Sequence, residues 1–120
     1  MLYDPTEHRI RSFVTRAGRL STAQARAFEE QGPKFLIEYK KEPLDLEQAF
    51  GRKAPVVLEI GFGMGDTTAH IGKLMPETDF LGVEVHTTGV GSLLKQIGEQ
   101  DIANVRLVKD DVFEVLNHMI

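Results

Sequence analysis

The sequence predicts an α/β fold: the N-terminal half of a doubly wound, mostly parallel sheet, with three strands joined by crossover helices. Three observations carry this. From Val56 onward, short apolar runs alternate with stretches whose apolar residues recur at helical spacing. The runs are continuous rather than alternating, as in strands covered on both faces. A glycine-rich segment, Gly61-Phe62-Gly63-Met64-Gly65, joins the first run to the first helical stretch. Successive strand–helix units of this kind require a parallel sheet with right-handed crossovers.

The elements follow in order. Ser21-Thr22-Ala23-Gln24 has the form of a capping box, with Ser21 as N-cap and Gln24 reaching back. Leu20, Ala23, Ala27 and Phe28 then share a helical face, and Gly32-Pro33 is expected to end that helix. Phe35 to Tyr39 is a short apolar run, a strand or an extended connector. Leu46 to Phe50 reads as one or two helical turns closed by Gly51. Val56 to Ile60 is the first buried strand. Asp66 to Met75 is a helix with Ile71, Leu74 and Met75 on its apolar side and Pro76 just beyond. Phe80 to Glu84 is the second strand. Val90, Leu93, Leu94 and Ile97 stripe the next helix, Val105 to Val108 form the third strand, and Val112, Val115, Leu116 and Met119 stripe the last helix. The organisation expected is a basic arm over residues 1–20, a helical extension and linker over 21–53, and the ligand-binding half of a domain over 54–120.

The last helix reaches the chain end with no stop signal. Half-sheets of this type run in the order 3-2-1, which leaves Val56–Ile60 as a long apolar edge guarded by Glu59 alone. The expectation is an incomplete sheet, truncated before a fourth strand.

Composition sets limits on the chemistry. The 120 residues are 42% hydrophobic and 27% charged, as in an ordinary globular protein, with no cysteine and hence no disulfide, thiolate metal site or thiol nucleophile. Absence of cysteine suits a reducing compartment, and a cytoplasmic location is expected. There is neither a signal-peptide core nor an apolar stretch long enough to span a membrane. The net charge of -4 conceals an asymmetry. Residues 1–20 hold Arg9, Arg11, Arg16 and Arg19 against Asp4 and Glu7, so a basic arm leads an acidic body. Guanidiniums so spaced suit a phosphate backbone. Phe13 and Val14, inside the arm, are expected to dock on a surface.

The glycine segment allows a tight turn and close approach of a ligand to bare backbone. A dinucleotide fingerprint needs a glycine at position 66, which is Asp66, and a carboxylate at a helix N-terminus repels a pyrophosphate. Gly61, Gly63 and Gly65 preceded by Glu59 suit an adenosyl group with an amino-acid tail, whose ammonium Glu59 meets directly or through water. Glu84 ends the second strand, where an acid accepts from both ribose hydroxyls of a nucleoside. Asp110 and Asp111 follow the third strand: one is placed to take an adenine amino group, the other to cap the helix from Val112. All these acids lie at C-terminal strand ends, where open α/β sheets bind ligands. His8, His70, His86 and His118 lack metal-ligand spacing, and no metal is expected. His86 adjoins the ligand loop and is a secondary candidate for contact, as is Asp110. No Ser-His-Asp set is evident.

Taken together, Leu58–Gly65, Asp79–His86 and Gly89-Val90-Gly91 resemble the bacterial tRNA (guanine-N7)-methyltransferase family. Arg11–Val14 with Gly18-Arg19-Leu20 is similar to that family's N-terminal arm, and Asp111–Leu116 to its third cofactor segment. The resemblance implies a Rossmann-like class I methyltransferase fold and transfer of a methyl group from S-adenosyl-L-methionine to N7 of a guanine in the tRNA variable loop, giving 7-methylguanosine. It implies Glu59, Glu84 and Asp111 as the cofactor acids, with tRNA as partner. The family continues with a fourth strand and an F-P-D-P-W-type motif whose Asp belongs to the active site. This sequence has no such motif, so catalytic residues are expected beyond Ile120 and these 120 residues alone are expected to be inactive. Another S-adenosylmethionine-dependent methyltransferase, a nicotinamide-binding enzyme on a similar half-fold and a non-catalytic RNA-binding module are the alternatives; Asp66 speaks against the nicotinamide enzyme, and the acidic body and intact ligand loop against the RNA module.

Overall fold

A computed structural model describes residues 19–120 of the chain. Among the expected arm residues, Arg19 lies within that range and is exposed, whereas Arg9, Arg11, Phe13, Val14 and Arg16 lie outside it. The elements are α1 (Thr22–Phe35), β1 (Leu36–Ile37), α2 (Leu46–Phe50), β2 (Val56–Ile60), α3 (Asp66–Leu74), β3 (Asp79–Glu84), α4 (Thr87–Gln100), β4 (Val105–Lys109) and α5 (Val112–His118).

The sheet has four parallel strands in the order β1-β4-β3-β2. The three expected strands take the expected 3-2-1 order, and β2 is an edge on which Val57 and Ile60 are 44% and 52% exposed. The strand count of three needs correction. Leu36 and Ile37 pair with Leu107 and Val108, so β1 covers the outer side of β4. A two-residue strand carries no periodicity of its own; pairing with β4 makes it one.

Alternation along β3 and β4 divides the core. Phe80, Val105 and Leu107 face one cluster with Ala27, Phe35, Ala69, Val90, Leu93, Leu94 and Ile97 from α1, α3 and α4. Leu81, Val83 and Val108 face the other with Phe50, Val115 and Met119. Three layers result, with the stripe predicted for α4 wholly buried.

Local signals hold at most helix ends. The Ser21–Gln24 capping box is closed reciprocally at 3.1 Å in each direction. Asp45 caps α2, and Gly51 ends it at φ +75°. Two readings fail. Gly32-Pro33 does not end α1, which runs on to Phe35 with Leu36 N–H donating to Gly32 O. Pro33 costs the one hydrogen bond its nitrogen cannot make, but the ring is exposed and burial of Phe35 holds the last turn. At α3, Ile71 packs against the core as expected, but Leu74 and the C-cap residue Met75 are 66% and 46% exposed, and the fully buried residues are Thr68, Ala69 and Gly72. Small residues let α3 approach closely, since a Cβ on Gly72 would lie 3.1 Å from Val105 Cγ2. Ala23 and Leu116 are likewise exposed rather than part of their helices' buried faces.

The opposite end of the sheet is held by charge. Asp79, 1% exposed, accepts from Arg52 Nε and Nη2 at 3.0 and 2.6 Å. Arg106 lies between the rings of Phe35 and Phe50, 4.9 and 5.3 Å from their centroids, and donates to the carbonyls of Ala49, Ala103 and Val105. Burial lowers its pKa from the usual arginine value, and Asp79 acts the other way.

Candidate functional site

The glycine loop leaves the C-terminal end of β2 and enters α3. Gly61, Gly63 and Gly65 have φ of +66°, +64° and +84°, so each needs glycine on conformational grounds. A Cβ on Gly61 or Gly63 would meet nothing within 4 Å, which leaves their backbone open to a ligand. Gly65 differs: it packs on α4, where its Cβ would lie 2.6 Å from Leu93 Cβ. Phe62 turns back over β3, and a Cβ on Gly82 would lie 2.8 Å from its ring.

Glu84 is the centre of the site. It is 6% exposed, and its carboxylate accepts four hydrogen bonds. Gly63 N–H donates to Oε1 at 2.8 Å. Val85 N–H and His86 N–H donate to Oε2 at 2.9 and 3.1 Å, and His86 Nδ1 stands 2.8 Å from the same oxygen. Burial pushes the Glu84 pKa up, but the His86 side chain and the backbone donors of His86, Gly63 and Val85 outweigh it, and the net shift is downward. The acid predicted from its place at a strand end is therefore bonded directly to the predicted glycine loop.

Glu59, half-buried on β2, accepts from the hydroxyl of Thr68, which is fully buried on α3. The glycine loop therefore lies between two carboxylates, each fixed by a partner. Asp110 and Asp111 sit one strand further on, following Lys109, the register partner of Glu84. Asp111 caps α5, accepting from Phe113 N–H at 2.9 Å and Glu114 N–H at 3.4 Å. Asp110 accepts from Asp111 N–H at 2.7 Å. The Oδ1 atom of Asp111 is thus committed to the helix.

The sequence reading passed over the contribution of α4. A Cβ on Gly89 would lie 2.1 Å from Gly63 O, so the loop docks where that side chain would be. Gln96 Nε2 donates to Met64 O and to Asp66 Oδ1 at 3.1 and 2.9 Å. Gly89, Leu93 and Gln96 together make α4 the bed of the loop. The available signal was glycine at 89, 91 and 98 inside one helix, which lowers helix propensity and so asks for a packing reason.

Among the described residues, no group of three His, Cys, Asp or Glu side chains could hold a metal ion, and no helix is long and apolar enough to cross a membrane.

Similar proteins share this arrangement of sequence. The chain is 60% identical over 112 residues to the tRNA (guanine-N(7)-)-methyltransferase of Cupriavidus necator, covering 93% of this chain and 43% of that protein. It is 58% identical over 118 residues to the protein of the same name from Burkholderia lata, covering 98% and 46%. The same-named protein of Ralstonia pickettii is 62% identical over 113 residues, covering 93% and 44%. The chain therefore spans less than half the length of these curated relatives. Residues 53–120 match the family described as "Putative methyltransferase", which is more than half of the chain. In agreement with the expectation from its motifs, the chain belongs to this methyltransferase family.

Proposed function

We propose that these residues form the cofactor-binding part of a tRNA (guanine-N7)-methyltransferase. The observation that carries the reading is identity of about 60% over nearly the whole chain to proteins of that name. The site supports it on chemical grounds. Open backbone at Gly61 and Gly63, flanked by Glu59 and Glu84, suits an adenosyl group with a cationic amino-acid tail. Asp66 in the first turn of α3 opposes a pyrophosphate at the same place, which disfavours a dinucleotide. S-adenosyl-L-methionine, when bound, supplies a methyl group activated by its sulfonium.

The roles of the chain's own residues follow. Glu59, oriented by Thr68, takes the ammonium. Glu84 takes the ribose hydroxyls and repels a 2′-phosphate. Asp111 retains Oδ2 for the adenine edge, with Asp110 beside it. Guanine N7 carries an in-plane lone pair and no proton, so in-line positioning is the main requirement of methyl transfer to it. The residues that receive the guanine are assigned to none of those present. Arg9, Arg11, Arg16 and Arg19 hold tRNA phosphates, and a cytoplasmic location accords with the lack of cysteine.

Titration calorimetry with S-adenosylhomocysteine and with NAD tests the cofactor; binding of NAD in preference overturns the reading. Arg11→Ala with Arg16→Ala is expected to weaken tRNA binding and flatten its salt dependence, and an unchanged salt slope removes the arm from the interface.

A further inference from the structure

Residues of α4 at helical spacing meet successive parts of the glycine loop. Gly89, Leu93 and Gln96 stand at i, i+4 and i+7 on one face of the helix. Gly63 O docks where a side chain at position 89 would be, and Gly65 packs on Leu93. Gln96 reaches the last part of the loop, at Met64 and Asp66.

The chemistry of the partners fixes which end of the Gln96 amide is used. Met64 O and the Asp66 carboxylate oxygen only accept, at 3.1 and 2.9 Å, so the nitrogen faces both. An amide nitrogen carries two protons, one for each acceptor. Ser92 Oγ, 3.5 Å away, is too distant to compete.

Among the described residues, side chains tie the loop down at two places. Glu84 accepts from Gly63 N–H in the first half, and Gln96 holds the residues on either side of Gly65 in the second. Gly61, Gly63 and Gly65 all have positive φ, and glycine loses more backbone freedom on ordering than any other residue. Met64 and Asp66 are exposed, so water replaces the amide there at little cost to the fold. The two bonds from Gln96 therefore act mainly on the order of the loop.

We propose that Gln96 is a positioning residue for the cofactor, a two-donor latch that holds the second half of the glycine loop in the shape that leaves Gly61 and Gly63 open to an adenosyl ligand. The latch needs no ligand atom and touches none. This rests on the cofactor reading above and deepens it, placing part of the affinity in a contact between helix and loop. Fixing the backbone of one residue corresponds to on the order of tenfold in binding.

Three variants separate donor from shape. Gln96→Ala removes both bonds. Gln96→Glu keeps the shape but offers only acceptors beside Asp66, and Gln96→Lys alters the shape but keeps the donors. In titration calorimetry with S-adenosylhomocysteine, Gln96→Ala is expected to weaken binding on the order of tenfold and Gln96→Glu at least as much. Gln96→Lys is expected to stay within about threefold of wild type. Urea midpoints are expected to remain near wild type, because water replaces the amide at both exposed acceptors. Gly65 N–H donates to Phe62 O at 3.0 Å, and its hydrogen exchange is expected to quicken in Gln96→Ala and Gln96→Glu but not in Gln96→Lys. Wild-type affinity in Gln96→Glu overturns the latch. So does a loss in Gln96→Lys equal to that in Gln96→Glu, or a fall in stability that matches the loss of affinity. If the wild type fails to bind S-adenosylhomocysteine, the cofactor reading falls and the latch's part in affinity with it; if wild type and all three variants bind alike, the latch alone falls.

Discussion

Gly89→Ala places one methyl group in the middle of the site. Its carbon would stand 2.1 Å from Gly63 O and 3.1 Å from Gly63 C, but 3.4 Å from Glu84 Cγ. A carbon–oxygen contact settles at about 3.3 Å, so something must retreat by roughly 1 Å. The Glu84 contact is already ordinary, and α4 is backed by the buried Val90, Leu93 and Leu94. The glycine loop is what moves, and Gly63 N–H then loses its 2.8 Å bond to Glu84. Overpacking costs about 1–3 kcal/mol, offset by about 1 kcal/mol of helix propensity gained by alanine over glycine. The net loss of stability is small, about 0–2 kcal/mol. Binding suffers as well, because the displaced loop loses the Gly63 N–H bond that orients Glu84, and a hydrogen bond to a charged group is worth about 1.5–3 kcal/mol, on the order of tenfold or more in affinity. Gly98→Ala is the control: the nearest atoms to its methyl belong to the flexible side chain of Gln31, with Nε2 at 2.8 Å, at an exposed position. It should keep wild-type affinity and gain up to about 1 kcal/mol. Urea denaturation and S-adenosylhomocysteine calorimetry on both variants read the two effects separately. Wild-type affinity in Gly89→Ala would refute the account of the loop.

Other perturbations follow from the same contacts. Glu84 has a folded pKa below its usual value, so its stabilising contribution is full above the ordinary glutamate range and disappears as pH falls through the lowered folded value. Glu84→Gln should flatten the acid side of a stability profile taken by urea midpoints from about pH 6 to about pH 3, and an unaltered profile counts against the network. Asn104, 7% exposed, donates through Nδ2 to the carbonyls of Gly72, Met75 and Thr78. Asn104→Ala leaves these without their donor at the end of α3 and should cost about 1–3 kcal/mol in denaturant titrations. Arg106→Met gives up two ring stacks and the carbonyl bonds to Ala49 and Ala103, with an expected loss of about 2–4 kcal/mol and no direct change at the glycine loop. A shift in ligand affinity as large as the loss of stability would show the two ends of the sheet to be coupled.

Much of the fold is written in short-range pattern. The Ser21 capping box, the Asp45 and Gly51 caps of α2, the α4 stripe and the runs of β2, β3 and β4 each involve residues within one or two turns, or along one strand. Their physics is local: a cap needs a partner three residues away, and a stripe needs only the helical period. The glycine loop and Glu84 were legible for a related reason, since a parallel strand must end where its helix begins. Their hydrogen bond spans 21 residues, yet topology alone brings the two together.

Other features had an ambiguous local signal or none. Phe35 to Tyr39 reads equally as a strand or an extended connector, and pairing of Leu36 and Ile37 with β4, 71 residues away, decides for the strand. The fully buried residues of α3 are Thr68, Ala69 and Gly72, with Ile71 packed beside them on the core and Leu74 outside, because at Gly72 the helix comes close enough to Val105 of β4 to leave little room for a side chain. Asp110 and Asp111 looked equivalent until the turn into α5 gave the cap to Asp111. Gly89 reads as a weak spot in a helix until the Gly63 carbonyl occupies the place of its side chain. Local pattern thus determined most of the strands and helices and which loop carries the three positive-φ glycines. The packing of segments far apart in sequence decided how closely they approach, and with that which backbone donors meet the Glu84 carboxylate.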